Sequence, residues 1–158
     1  MTDSQIFKRT KQLNTGQLIP QLGLGTSPYA SDEEGYTAVK GALNAGYRHI
    51  DTARAYNNEE IVGSAIRDFI KESGVPRSEI HVTTKLWCTE FKDPVKGIKG
   101  SLKRLGLDYV DLYLMHWPIV MAEGEEWIPK DPDGTIKLVD FDEWNYLDTY
   151  KAMQRRWI

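Results

Sequence analysis

The sequence predicts an α/β fold in which four parallel strand–helix units follow a small β-hairpin. Runs rich in β-branched residues alternate with stretches whose apolar residues recur at helical spacing, and the links between them are short. The predicted strands end near Gly25, Asp51, Lys85 and His116, at intervals of 26, 34 and 31 residues. This alternation favours parallel strands joined by right-handed crossovers. No linker divides the chain, so residues 1–158 are predicted to form one domain.

The N-terminal elements are predicted from turn and capping signals. The Asn-Thr-Gly run at 14–16 lies between two short runs and predicts a hairpin over residues 7–20. The first parallel strand is expected over about 21–25. Ser31 and Glu34 then form a capping box, which marks the start of the first helix.

The remaining elements follow the same pattern. YRHID, IHVTTKLW and YVDLYLMHW are predicted to be the second, third and fourth strands. Helices are expected from about Asn58 and from Asp93-Pro94, where proline suits the first helical position. A long polar loop over 118–141 separates the fourth strand from a last helix that is predicted to begin near Phe141. Glycines suit the C-terminal caps of the first three helices: Gly46, Gly74 and Gly106.

Composition excludes several classes of function. The chain has 158 residues, 27% of them charged, and a formal net charge of -3. Because there is no basic excess, a nucleic-acid partner is not expected. No apolar run is long enough to span a bilayer, and the first residues are too polar for a signal peptide. Cys88 is the only cysteine, so no internal disulfide or metal cluster is predicted, and the expected location is the cytoplasm.

Four ionisable side chains of different types lie where an active site is expected. Active sites of parallel α/β folds gather at the carboxyl ends of the strands, which here selects Asp51, Lys85 and His116, with Tyr56 just beyond its strand. Each has a structural interpretation when taken alone: a turn cap, a solvated lysine, a core histidine or a packed phenol. Their placement at the ends of three successive strands favours a shared site.

Elementary chemistry explains this grouping. A phenol is a poor acid at neutral pH, but a neighbouring ammonium stabilises the phenolate and eases proton donation. A carboxylate paired with the lysine keeps the lysine charged, and a histidine can orient a substrate oxygen. Together the four groups fit the protonation of a carbonyl oxygen as the carbon receives a hydride. The hydride must come from a cofactor.

The motifs that carry these residues resemble those of the aldo-keto reductases, near the aldose-reductase-like branch. They are GLGT, GYRHIDTA, the Tyr56-Asn57 pair, TTKLW and SLKRLGLDYVDLYLMHWP, and the resemblance runs from about 13 to 154. The resemblance implies a (β/α)8 TIM barrel, of which this chain would be the N-terminal half. It also implies an oxidoreductase that reduces aldehydes or ketones, including sugars, to alcohols with NADPH.

The resemblance assigns roles to individual residues. Tyr56 matches the family's proton donor, Lys85 the lysine that makes this phenol a better acid, Asp51 that lysine's partner and His116 the orienting histidine. Expected cofactor contacts are Gly25, Thr26, Ser27 and Asp51. Expected pocket residues are Trp87, Trp117 and His116, with core packing as the alternative role for the tryptophans. Ser27 stands where this branch usually has tryptophan.

Other arrangements fit less well. Pro28 occupies the position of the third glycine in a dinucleotide fingerprint, so a Rossmann fold is not predicted. The separation of 29 residues between Tyr56 and Lys85 excludes the Tyr-x-x-x-Lys pattern of short-chain dehydrogenases. His49 and His81 lie within strands and are expected to be structural, and no metal site is predicted. Cys88 is expected to be a packing residue.

Length gives the alternative interpretation. A barrel of this kind has about 250 residues, and the family's cofactor seat is built mostly by the half that is not in this sequence. The resemblance fails at RRWI, 155–158, so a truncated chain that binds NADPH poorly is expected. The alternative function is therefore a non-catalytic half-barrel or interaction protein, which self-associates through its exposed edges.

Overall fold

The computed structural model describes residues 9–27, 29, 31–124 and 126–154. Four parallel strands form one sheet in the order β3-β4-β5-β6, and an antiparallel pair, β1 and β2, precedes it. This confirms the predicted α/β class. The strands are β1 Thr10–Gln12, β2 Leu18–Pro20, β3 Leu24–Gly25, β4 His49–Asp51, β5 His81–Leu86 and β6 Leu112–Met115. The α-helices are α1 Asp32–Ala45, α2 Glu59–Ser73, α3 Pro94–Leu105 and α4 Tyr146–Gln154.

The N-terminal hairpin lies within the predicted span. Thr10 pairs with Pro20 and Gln12 with Leu18, while residues 7 and 8 lie outside the described part of the chain. Gly16 occupies the turn with a φ of 84°, which a residue with a side chain rarely adopts.

The capping residues predicted for the first three helices lie at the observed helix ends. The Oγ of Ser31 accepts a hydrogen bond from the backbone N–H of Glu34 at 3.2 Å. The Oδ1 of Asp93 likewise accepts from the N–H of Lys96 at 3.0 Å, with Pro94 beginning α3. The glycines predicted to cap the first three helices all have left-handed backbone conformations: Gly46, Gly74 and Gly106.

The last helix begins later than Phe141, where the sequence places it. The segment before it forms a turn instead, because the backbone carbonyl of Asp140 accepts hydrogen bonds from the N–H groups of Glu143 and Trp144. Asn145 then provides the start signal. Its Oδ1 accepts from the N–H of Leu147 at 3.0 Å, and the carboxylate of Asp148 accepts from the N–H of Asn145 at 3.2 Å.

The fourth parallel strand is also shorter than its sequence pattern. The Oδ2 of Asp111 accepts a hydrogen bond from the N–H of Val82 at 2.8 Å, so a side chain takes a donor of the neighbouring strand just before β6 begins.

The loop over 118–141 folds back on itself through two isolated antiparallel bridges, Met121 with Leu138 and Lys130 with Ile136. Met121 is buried, so the base of this loop belongs to the core rather than to the solvated surface.

The main core lies between α1, α2 and α3 and one face of the sheet. Side chains of β4 and β5 that point to this face, Ile50 and Val82, are fully buried against the helices. Residues that alternate with them point to the other face of the sheet. The register places Gly25, Asp51 and Thr83 side by side on that second face, with Lys85 two residues further along β5. The candidate site therefore lies on the face that is opposite the helical core.

Helices α2 and α3 meet closely at Gly63. A Cβ at this position would clash with the backbone of Leu105, which cannot move as a flexible side chain would.

We expect Gly63→Ala to lower the free energy of unfolding by about 1–3 kcal/mol, because it overpacks a rigid contact. Gly41→Ala is the matched control, since nothing lies within 4 Å of its added Cβ in α1. Helix propensity predicts that this control raises stability by about 0.5–1 kcal/mol, and urea unfolding of both variants measures the difference.

Two histidines pack edge to face beneath the site. The rings of His49 and His81 are 4.8 Å apart, and Nε2 of His49 lies 3.0 Å from Oγ1 of Thr83. Burial lowers the pKa of His49, against smaller raising effects from the Pro20 backbone and from Asp51 and Asp111. Lys85 lowers it further.

Burial is also the main cause of the lowered pKa of His81. The carboxylate of Asp111 opposes this shift, while the charges of His49 and Arg77 add to it. The folded state therefore binds protons at both histidines more weakly than the unfolded chain does.

We expect the free energy of unfolding to fall as the pH drops below about 6.5, where unfolded histidine takes up protons. The stability contributed by these neutral histidines is present above that pH and is lost below it. Urea unfolding at a series of pH values should show this slope, and His81→Gln should flatten it. An unchanged slope in His81→Gln would contradict the assignment.

Candidate active site

The ammonium of Lys85 is the centre of the site. Its Nζ donates to Oδ1 of Asp51 at 2.5 Å, to the backbone carbonyl of Thr52 at 2.9 Å and to the hydroxyl of Tyr56 at 3.2 Å. The Lys85 side chain is only 14% exposed, whereas that of Asp51 is 34% exposed. The structure thus brings together three of the four residues that the sequence predicts to be catalytic, through direct hydrogen bonds.

The connection between β4 and α2 explains how Tyr56 reaches Lys85. After Asp51 the chain stays extended and then forms a 3-10 turn over Arg54–Tyr56. Asn57 follows with a φ of 53°, a left-handed conformation that asparagine tolerates better than most residues. This sharp reversal returns the phenol of Tyr56 to the end of β5, where Lys85 lies.

His116 completes the predicted group at the end of β6. Its ring lies edge to face with Tyr56 at 5.4 Å and with Trp87 at 5.6 Å. Burial lowers the pKa of His116, and the charge of Lys85 lowers it further, so the ring is neutral at neutral pH. The Nδ1 of His116 is buried and has no hydrogen-bond partner among the described residues.

Aromatic side chains form one side of the site. Trp87 is buried, Trp117 is 41% exposed, and their rings lie 4.9 Å apart. Trp127 stacks on Trp87 with ring centres at 5.3 Å, and its backbone carbonyl accepts a hydrogen bond from Nε1 of Trp87 at 2.8 Å. The guanidinium of Arg54 lies over the ring of Trp127, 4.5 Å from its centre.

Trp127 and Arg54 are the residues that the sequence interpretation missed. The polar composition of the loop over 118–141 predicts that most of it is solvated. This prediction does not include the stacking of Trp127 on Trp87 at the aromatic side of the site. A large aromatic residue next to Ile128 in an otherwise polar loop is the signal that was available. Arg54 carries no comparable signal, because its role depends on a stacking partner 73 residues away in the sequence.

The predicted cofactor segment follows β3. Gly25 and Ser27 are exposed, whereas Thr26 is fully buried. Both the backbone N–H and the Oγ1 of Thr26 donate to the backbone carbonyl of Asp51, at 3.0 and 3.1 Å. Gly25 and Ser27 therefore provide the accessible surface of this segment, and Thr26 anchors it to β4.

The remaining candidates lie away from the site or are inert. Cys88 is buried, and burial raises its pKa to about 11, so its thiol is neutral and acts as a packing residue. Within the ranges that the structure describes, no three histidine, cysteine or acidic side chains gather as metal ligands would. None of the helices in those ranges is long and apolar enough to cross a membrane.

Comparison with known proteins identifies the family of the chain. The model of the aldo/keto reductase family matches residues 21–155. An aldehyde reductase of Saccharomyces cerevisiae is 54% identical over 151 residues, which cover 92% of this chain and 46% of that protein. Glycerol 2-dehydrogenase (NADP(+)) of the same yeast is 52% identical over 148 residues, covering 90% and 46% of the two chains.

A solved structure shows the same fold. The aldose reductase from Schistosoma japonicum superposes with a TM-score of 0.84 and 36% sequence identity, over 93% of this chain and 48% of the other. The chain spans about half the length of the curated relatives it matches. The family match over most of the sequence, and the identity to two yeast relatives, show that the chain belongs to the aldo/keto reductase family.

Proposed function

We propose that this chain carries the proton-donating part of a site that reduces aldehydes or ketones to alcohols with NADPH. The observation that supports this proposal is the contact of the Lys85 ammonium with both Asp51 and the hydroxyl of Tyr56. Two yeast relatives, named for aldehyde reduction and for glycerol oxidation with NADP(+), support the same reaction class and cofactor. A single buried cysteine suits a reducing compartment, so the cytoplasm is the proposed location.

Tyr56 is the proposed acid. Because Lys85 donates to the phenol oxygen, the hydrogen of Tyr56 itself remains available to a substrate oxygen. The ammonium also stabilises the negative charge that the phenol acquires when it gives up this proton. Asp51 offsets the cost of holding a charged lysine that is only 14% exposed.

His116 and the tryptophans are proposed to bind the substrate. A neutral imidazole beside Tyr56 can donate a hydrogen bond to the carbonyl oxygen that Tyr56 protonates. Trp87 and Trp117 supply an apolar wall next to it, which excludes water from the reacting carbonyl. The four proposed catalytic residues thus lie next to an apolar surface that can contact the carbon part of a substrate.

The cofactor segment fits a flat ring. Gly25 pairs with Asp51 in the sheet and is exposed, and nothing lies within 4 Å of the position that a Cβ would occupy there. NADPH would supply the hydride, and Gly25, Ser27 and Asp51 are the residues proposed to hold its nicotinamide end. Thr26 would support this contact from beneath, because its polar groups already bond to Asp51.

We expect Tyr56→Phe to remove carbonyl reduction by this chain, lowering the rate by at least about 100-fold, because a general acid contributes on this order. The fold should be unaffected, since only a hydroxyl is lost. The measurement is the oxidation of NADPH with an aldehyde substrate, together with thermal unfolding. Tyr150→Phe is the matched control, because this tyrosine is 50% exposed on α4. Equal rates in the wild type and in Tyr56→Phe would contradict the proposed acid.

A second candidate is a non-catalytic half-barrel that associates with another copy. The observation that favours it is the open sheet: in the described part of the chain, β3 and β6 each have a neighbouring strand on one side only. Leu114 on β6 is 39% exposed, and Trp117, shortly after the end of this strand, is 41% exposed. Unpaired strand edges with apolar side chains promote association.

This second candidate predicts that the isolated chain sediments as a dimer or larger species and binds NADPH weakly. Leu114→Lys should shift it toward monomer, because a charge on an open edge opposes strand pairing. Leu18→Lys is the control, since Leu18 is 60% exposed on the two-stranded hairpin rather than at the edge of the parallel sheet. A monodisperse monomer in sedimentation velocity would exclude association. A blue-shifted nicotinamide fluorescence at low protein concentration would favour the first candidate instead.

A further inference from the structure

Asn58 occupies the N-cap of α2 without capping it. Asparagine is among the residues preferred at this position, because its side chain accepts a hydrogen bond from the first turn. Ser31 and Asp93 make such bonds at the starts of α1 and α3. The side chain of Asn58 makes none. Its polar groups are used elsewhere.

The side chain of Asn58 bridges the two segments that follow β3 and β4. Its Nδ2 donates to the backbone carbonyl of Thr26 at 2.6 Å, and its Oδ1 accepts from Oγ1 of Thr52 at 3.2 Å. Thr26 and Thr52 are both fully buried. The amide of Asn58 is therefore held in a defined orientation, with its donor and its acceptor bonded to segments that follow two different strands.

Each of these partners bonds in turn to the proposed catalytic group. Thr26 donates twice to the backbone carbonyl of Asp51, while the backbone carbonyl of Thr52 accepts from Nζ of Lys85 at 2.9 Å. Asn58 thus closes a ring of hydrogen bonds that passes through Asp51 and reaches the ammonium of Lys85. It lies only two residues after Tyr56.

This ring determines where the Lys85 ammonium points. An ammonium has three hydrogens, and two of them are directed at Asp51 and at the carbonyl of Thr52. The third is then directed at the hydroxyl of Tyr56. If the Thr52 carbonyl moved, the ammonium would rotate and its contact with the phenol would weaken.

We infer that Asn58 is a positioning residue, which orients Lys85 toward Tyr56 and ties the proposed cofactor segment to the same strand. It acts through Thr26 and Thr52 and touches no reacting atom. Its effect on catalysis rests on the proposed carbonyl reduction, but its effect on Lys85 does not. The competing explanation is that Asn58 serves only the start of α2.

Asn58→Ser separates these explanations. Serine is a good N-cap but is too short to reach Thr26 and Thr52 together, so it preserves the helix start and breaks the bridge. Asn58→Asp is the second variant, because it retains an acceptor for Thr52 and lacks the donor to Thr26. Asn57→Gly is the matched control at the neighbouring residue, whose positive φ suits glycine.

The first measurement needs no activity. Hydrogen exchange of the Lys85 ammonium, followed by NMR and assigned through Lys85→Met, reports how firmly its three hydrogen bonds hold. We expect exchange about tenfold faster in Asn58→Ser and Asn58→Asp, the factor that one lost hydrogen bond is worth. Asn57→Gly should exchange as the wild type does. Asn58→Ser should still unfold cooperatively, at a lower melting temperature, because two buried groups lose their partner.

The second measurement is steady-state kinetics with NADPH and an aldehyde. We expect both Asn58 variants to lower kcat more than they raise KM for the aldehyde, because substrate contacts remain while Lys85 loses its orientation. If the wild type shows no turnover, the proposed function fails for this chain, and the exchange measurement still decides the role of Asn58. Wild-type exchange in both Asn58 variants would overturn the inference. So would global unfolding of both, since Asn58 would then serve the fold as a whole.

Discussion

The ion pair between Lys85 and Asp51 is the constraint on which the rest of the site depends. A lysine whose side chain is 14% exposed must be paired, because an unpaired charge in this position is costly. The pair forms only if β4 and β5 keep the register that places Asp51 beside Thr83. A slip by one residue would turn Lys85 toward the apolar helix face, since side chains alternate along a strand. The geometry of the site therefore depends on the register between β4 and β5.

The opposite face of β5 contacts a second buried charge, which belongs to α2. Glu59 has a side chain that is 1% exposed, and it accepts hydrogen bonds from Oγ1 of Thr84 and from Nε of Arg104, both at 2.7 Å. Thr84 precedes Lys85 directly, so residues on both faces of this strand bond to acidic side chains, Asp51 on one face and Glu59 on the other. Such pairs add little net stability, but removing one partner is strongly destabilising. They consequently select one arrangement of α2, α3 and β5 over its alternatives.

Local signals made most of the fold predictable. Ser31, Gly46 and Asp93 act within one helical turn, so the residues that begin or end α1 and α3 can be identified without knowledge of the fold. The start of α4 differs from the prediction because its cap uses Asn145 with Asp148 rather than the serine–glutamate pattern. The RRWI segment, where the family resemblance ends, lies outside the described residues.

The site was predictable only where residue type and strand position agree. Tyr56, Lys85 and His116 are chemically distinctive and follow the rule for strand ends, so their proximity could be inferred. Trp127 and Asn58 obey no such rule. Trp127 contacts Trp87, 40 positions away in the sequence, and Asn58 contacts Thr26, 32 positions away. Contacts of this kind depend on the folded geometry, and no short pattern contains them.

Asp51 links the two chemical halves of the proposed reaction. Its carboxylate accepts a hydrogen bond from the ammonium that contacts Tyr56, the proposed proton donor. Its backbone carbonyl accepts both hydrogen bonds from Thr26 in the proposed cofactor segment. Carbonyl reduction requires the proton and the hydride to reach adjacent atoms, and a displacement of about 1 Å can cost a large factor in rate. Lys85 lies on β5 and the proposed cofactor segment follows β3, so the two sides belong to different strands. Because Asp51 bonds to both, β4 links the position of the proposed proton donor to that of the proposed cofactor surface.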